Sequence, residues 1–136
     1  MDTNRLIFSK QTYSILVTAT PEYHDGRSSP YDSLYVWTYH INIENRGDTV
    51  AQLINRHWKI VDANGQVREV QGIGVVGIQP FIAPGEKFNY SSETSLQTPS
   101  GIMFGSYEMA TKSGDKFFID IPAFSLDCPH FKEQMN

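Results

Sequence analysis

Residues 34–45 alternate so strictly that one backbone conformation accounts for them. Tyr35, Trp37, Tyr39, Ile41 and Ile43 fall on one side, and Thr38, His40, Asn42 and Glu44 on the other. A period of two lines side chains up on one face of a strand and scatters them around a helix. A half-apolar, half-polar strand is the pattern of an antiparallel sheet packed on one side and wetted on the other. No segment of the chain sustains a helical period, so that sheet has to bury its apolar face against a second sheet.

The rest of the chain repeats the pattern. Tyr13, Ile15, Val17 and Ala19 alternate with Ser14, Leu16 and Thr18, which predicts a strand that Pro21 ends. Residues 22–32 carry Gly26 and Pro30 and read as a loop, long enough to mark Tyr23, His24, Arg27 and Tyr31 as candidates for function. A turn at residues 45–48 leads into a second long strand, residues 49–62. There Leu53 and Ile54 cannot share a face, so either both faces are covered or a bulge resets the register before Trp58. A hairpin turn at residues 62–65 sends residues 66–70 back as a short, polar edge strand.

Residues 86–92, 102–111 and 115–121 read as further strands, with 122–126 as a less regular one. Met103, Tyr107 and Met109 form one inward face, and the spacing of Gly105, Tyr107 and Met109 resembles the tyrosine corner of immunoglobulin-type sandwiches. Seven or eight strands in 136 residues predict an all-β fold, an antiparallel two-sheet sandwich of immunoglobulin or fibronectin-III type. A small barrel is the alternative. One domain over residues 1–136, with its core at about 13–126, is the expectation for this length.

Charge and cysteine content narrow the function. The net charge is -4 and no basic run occurs, which argues against nucleic acid or a membrane surface held by counterion release. Cys128 is the single cysteine, so the fold holds by packing without an intrachain disulfide, as suits a reducing compartment. Residues 1–10 lack the apolar run and cleavage site of a signal peptide, and no stretch approaches the ~20 apolar residues of a membrane span. Cytoplasmic residence without membrane insertion is the expectation.

Gly72, Gly74 and Gly77, in a run closed by Pro80, have the Gly-x-Gly-x-x-Gly spacing of a dinucleotide loop. That motif works when a helix opens after the last glycine and offers its N–H groups to the pyrophosphate. Pro80 and Pro84-Gly85 break the chain before a helix can wind. Two readings remain. In one, the run crosses between sheets while Ile73, Val75, Val76 and Ile78 plug the end of the sandwich. In the other, consecutive N–H groups form an anion nest, with Arg56, Arg68 or Lys87 supplying charge.

Other chemistry does not assemble. His24, His40, His57 and His130 are scattered, and His40 and His57 read as solvated or hydrogen-bonded structural residues. Cys128 and His130 are two of the four ligands a structural zinc takes, so no metal and no cofactor is expected. There is no Gly-x-Ser-x-Gly elbow, and the carboxylates fall mostly on polar strand faces. The chain reads as a non-enzyme.

A resemblance then emerges from ordered fragments. They are Tyr35, Trp37, Tyr39, Ile41, Ile43 and Asn45; Gln52 and Leu53; Arg56, His57 and Trp58; Asp62 and Gly65. The run from Val70 to Pro80 follows, then Pro84 to Glu86, Phe88, Tyr90 and Ser92, Thr98 to Met103, Gly105 and Tyr107, and Ile121, Pro122 and Phe124. Together they resemble the ApaG family in its free-standing bacterial form. The resemblance implies a fibronectin-III-like sandwich, an indirect association with cobalt resistance and magnesium efflux, and use of the module as a protein-interaction domain. It also implies pyrophosphate or nucleotide binding through Gly72, Gly74 and Gly77.

Three functions follow as expectations. The first is a non-catalytic module that recognises a protein partner through a sheet face, an edge or end loops; an exposed edge also makes a homodimer conceivable. The second is a small-anion binder using the glycine run with Arg56 or Arg68. The third is a metal-dependent role for loop histidines and carboxylates.

Overall fold

The structure, a computed structural model, describes residues 6–130. The strands are β1 (Phe8–Thr12), β2 (Ile15–Tyr23), β3 (Tyr35–Asn45), β4 (Ala51–Asp62), β5 (Val67–Ile73), β6 (Phe81–Ile82), β7 (Lys87–Leu96), β8 (Ser100–Thr111) and β9 (Lys116–Asp127). Every pairing is antiparallel. One sheet runs β1-β2-β3-β7 and the other β5-β4-β8-β9, with β6 added to β4. The expected two-sheet antiparallel sandwich is the observed architecture. β1 and the two-residue β6 are additions to the strands read from alternation, and residues 116–127 form one strand where two were expected.

The inward faces follow the alternation, except that Tyr13 lies in the turn before β2 and is 75% exposed. Trp37, Tyr39, Ile41 and Ile43 of β3 are buried, facing Trp58 and Ile60 of β4 and Met103, Tyr107 and Met109 of β8. Leu53 and Trp58 are both inside because the β4 register shifts between Leu53 and Asn55. Ile54 is the extra residue. It moves the inward phase from Ala51 and Leu53 to Arg56, Trp58 and Ile60. A second register shift, between Met103 and Gly105, lets β9 pass through Pro122, which sits where the ladder is already interrupted. β2 likewise continues to Tyr23, beyond the stop expected at Pro21. β1 pairs with β2 only as far as Ala19, so Pro21 has one strand neighbour, and its missing N–H costs no ladder bond on the open side.

The sheets touch through aromatic rings. Tyr39 of β3 meets Trp58 edge-on at 5.3 Å between centroids and Phe124 at 6.2 Å, while within the opposite sheet Trp58 meets Phe124 at 5.9 Å and Tyr107 at 6.5 Å. Edge-to-face pairs add about 0.5–1.5 kcal/mol beyond the area they bury. Two polar contacts cross the same gap. Trp37 Nε1 donates to the Asp127 carbonyl at 3.0 Å, and the Tyr90 and Tyr107 hydroxyls share a 2.5 Å hydrogen bond. Tyr107 is buried as expected, yet its hydroxyl reaches the opposite sheet rather than nearby backbone, so it is not a tyrosine corner.

The sandwich is closed on one side. β9 packs along β1 and β2, with Phe8 against Phe124 at 6.3 Å, Lys10 paired with Asp120 at 2.9 Å, and the Asp120 N–H donating to Thr12 Oγ1 at 3.1 Å. On the other side the β5 and β7 edges stand apart.

Removing one hydroxyl of the buried tyrosine pair strands the other. Tyr90→Phe and Tyr107→Phe are each expected to lower unfolding free energy by about 1–3 kcal/mol, and the double variant to recover most of that, in urea titrations. Burial pushes the phenols of Tyr39, Tyr90 and Tyr107 above the ordinary tyrosine value. They keep their protons in the fold while unfolded tyrosines ionise near pH 10, so their contribution is intact below about pH 10 and falls as pH rises. The urea midpoint is expected to drop steeply above that pH. The loss should approach about 1.4 kcal/mol per pH unit for each such tyrosine, and be shallower in the double variant.

Candidate functional site

The glycine run leaves β5, forms a tight hairpin and returns through Pro80 to β6; no helix follows Gly77. The Val75 N–H donates to the Ile78 carbonyl at 2.8 Å and the Ile78 N–H to the Val75 carbonyl at 3.0 Å. Val76 and Gly77 between them take φ of 42° and 83°, the positive values that a type I′ hairpin turn requires. The loop is tied to the β4 bulge. The Ile54 carbonyl accepts the Gly74 N–H at 2.8 Å and Gln79 Nε2 at 3.0 Å, and the Leu53 N–H donates to the Pro80 carbonyl at 3.0 Å. Gly74 has φ of 64°, and a Cβ there would stand 2.1 Å from the Ile78 carbonyl oxygen, so a side chain is excluded on two counts. The amides of Gly74, Val75 and Ile78 are thus already committed to carbonyls within the protein.

The loop does not plug the sandwich as expected. Val75 alone points inward, fully buried, whereas Ile73, Val76 and Ile78 are 73%, 59% and 49% exposed and neighbouring Phe81 is 69% exposed. The I′ turn reverses the chain after Val75, which sends the later side chains out.

Arg56 stays with the glycines and Arg68 does not. Arg56 packs its guanidinium on Gly72, where an added Cβ would approach Cζ to 2.6 Å, and Nη1 donates to the Gly74 carbonyl at 2.8 Å and the Ile73 carbonyl at 3.3 Å. Arg56 therefore meets loop carbonyls rather than loop amides. Arg68 crosses the open side of the sandwich and donates from Nη2 to Thr94 Oγ1 at 3.0 Å and the Ser95 carbonyl at 3.1 Å, both on β7. Both arginines line one cleft of about 300 Å³ between the sheets, with Trp58, Tyr39 and Ser92. Gly72, Gly74 and Gly77 do not line it. Gly72 instead borders a second hollow of about 470 Å³, which Arg56 also lines, with Ile73, Asn55, Glu108 and Phe118. Lys87 lies at the start of β7, in register with Glu44.

Several of the remaining residues marked from sequence are tied to neighbours in the fold. His40 pairs with Ser91 at 2.6 Å and Glu22 at 3.1 Å, and His57 with Glu69 at 2.9 Å on the face opposite Trp58. The bond to His57 holds the exposed Glu69 carboxyl below its usual range. Tyr23 is packed edge-on against Trp37 at 5.5 Å, so of the two loop tyrosines only Tyr31 is fully exposed. Among the described residues, no three His, Cys, Asp or Glu side chains converge to hold a metal, and no helix is long and apolar enough to cross a membrane. Composition alone could not reveal the Arg68 clasp, because its partners lie on the other sheet.

These features define an antiparallel two-sheet sandwich carrying a stiff, outward-facing apolar loop and a cationic cleft at its open side. Residues 25–111 match the ApaG domain. The chain is 53% identical over 130 residues to Protein ApaG of Parvibaculum lavamentivorans and 52% to that of Rhodospirillum centenum, covering 96% of this chain and 100% of each relative. The crystal structure of a Bordetella pertussis protein named ApaA superposes with a TM-score of 0.84 at 43% identity, covering 88% of this chain and 97% of that one. The chain belongs to the ApaG family.

The glycines are not equivalent. Nothing lies within 4 Å of a Cβ at Gly77, so Gly77→Ala is expected to cost only backbone strain, about 1–2 kcal/mol. Gly74→Ala meets the Ile78 carbonyl as well and should cost distinctly more, with loss of protection at the Gly74 and Ile78 amides in hydrogen exchange.

Proposed function

We propose that this protein is a non-catalytic binding module whose glycine-rich loop docks a protein partner. One observation carries the reading: Ile73, Val76, Ile78 and Phe81 are exposed on a segment whose backbone is held by the β4 bulge, by Arg56 and by its own hairpin bonds. Apolar side chains on a mobile loop lose entropy when they dock; on a pinned loop that cost is largely met by folding. An ordered apolar knob framed by Gln52 and Gln79, whose side-chain amides bond to backbone carbonyls, has the make-up of an interface centre with a polar rim. The partner is accordingly a protein with an apolar pocket. Any tie to cobalt resistance or magnesium efflux runs through that partner, which would carry the transport itself.

A photo-crosslinking amino acid at Val76 in living cells, compared with one at Asn64 on a distant turn, tests this. We expect a discrete conjugate from Val76 that disappears when Ile78→Asp is added, while the melting temperature of the variant stays close to wild type. A conjugate that survives Ile78→Asp, or equal labelling from Asn64, overturns the reading. A conjugate of twice the chain mass would assign the surface to a homodimer and also overturn it.

A further inference from the structure

We propose that the cleft between the β5 and β7 edges binds a phosphate group, held by the guanidinium groups of Arg56 and Arg68 and by the indole N–H of Trp58. This places anion binding in the interior of the open seam rather than on the glycine run, with Arg56 shared between the cleft and the loop it braces.

Three observations converge on the same cavity. First, Trp58 lines it and is 2% exposed, yet its Nε1 is the one buried side-chain nitrogen or oxygen without a hydrogen-bond partner among the described residues. A buried indole N–H ordinarily has an acceptor, and leaving it unpaired costs about as much as a lost hydrogen bond. Trp37, the second tryptophan, has its acceptor in the Asp127 carbonyl. Second, both arginines that line the cleft donate only to neutral oxygens, the carbonyls of Ile73 and Gly74 for Arg56, and Thr94 Oγ1 with the Ser95 carbonyl for Arg68. Among the described residues neither is paired with a carboxylate. Glu93, the one acid on the lining, is paired with Arg27 at 3.1 Å.

Third, the remaining polar side chains of the lining, besides Glu93, carry hydroxyls that can donate: Tyr39, Ser92, Thr94 and Ser95. Two uncompensated cations and a ring of donors select an anion. A tetrahedral dianion balances both charges and offers oxygens to both walls, whereas a carboxylate monoanion matches one guanidinium fork. At about 300 Å³ the cleft is at the small end of ligand sites, room for a phosphate group rather than for a whole dinucleotide. Arg68 is exposed and lines both this cleft and a separate hollow of about 470 Å³ bordered by Asp62, Gln66 and Leu96, so its side chain is the bar a ligand passes.

Proton–nitrogen correlation spectra of the labelled protein during a titration with inorganic phosphate test the proposal. Trp58→Phe assigns the two indole signals. We expect the Trp58 indole signal to move in a saturable way while that of Trp37 stays, with affinity about tenfold or more weaker in Arg68→Ala and in the charge-conserving Arg56→Lys. Arg68→Gln serves as a second variant of the same residue, and each variant's dispersion of amide signals reports its fold. Phosphoserine in a parallel arm separates a free ion from an esterified group: tighter binding than phosphate assigns the site to the ester, weaker binding to the free ion. A still Trp58 signal, shifts confined to the amides of residues 72–77, undiminished binding by Arg68→Ala and Arg68→Gln, or acetate binding as well as phosphate would each overturn it.

Discussion

The structure turns on one extra residue in β4. Without Ile54 out of register, a strict period of two would place either Ala51 and Leu53 or Trp58 and Ile60 on the wet face. Burying a large apolar side chain contributes about 1.5–3 kcal/mol, so either alternative loses about that for each large side chain turned out. The same displaced residue turns its carbonyl toward the glycine loop and accepts two hydrogen bonds from it. After the phase change Arg56 faces inward beside Trp58, which is how a cation comes to line the space between two apolar sheets. Core, loop and cleft therefore share one cause.

The two long sides of the sandwich are built differently. Where β9 meets β1 and β2, apolar rings and an ion pair fill the junction. Where β5 faces β7, the junction is a single arginine side chain and the cavity behind it. The cleft that holds both arginines lies at the second. The glycine loop sits on the strand that borders this seam, since it continues directly from β5, so the chain places its apolar knob and its cationic cleft on neighbouring parts of one edge.

Much of this was legible from residue order. The alternation of residues 34–45 marked the buried face of β3, and the adjacent Leu53 and Ile54 left a choice between two covered faces and a bulge, of which the fold takes the bulge. Pro80 marked the absence of a helix after Gly77. What escaped depended on partners distant in the chain. β1 is polar between Phe8 and Thr12, and its place comes from pairing with β2 and from Phe124 and Asp120 on β9. Pro21 reads as a terminator, yet it is harmless where β1 has already ended. The direction of the loop's aliphatics was hidden too, because one turn with positive φ at Val76 and Gly77 decides it, and apolar content does not encode that reversal. The role of Arg68 follows from Thr94 and Ser95 standing opposite, a neighbourhood that only the stacked sheets create.

The packing of β9 against β1 and β2 also dictates an order of events during synthesis. The earliest strand is anchored by the latest, through Phe8 with Phe124 and Lys10 with Asp120, and β3 is secured to Asp127 by Trp37. Contacts so far apart in sequence form slowly, after the intervening loops have closed. A nascent chain can pair β2 with β3 early, but it cannot seal the sandwich until β9 has left the ribosome. During that interval the aromatic faces of half-built sheets stay open to chaperones.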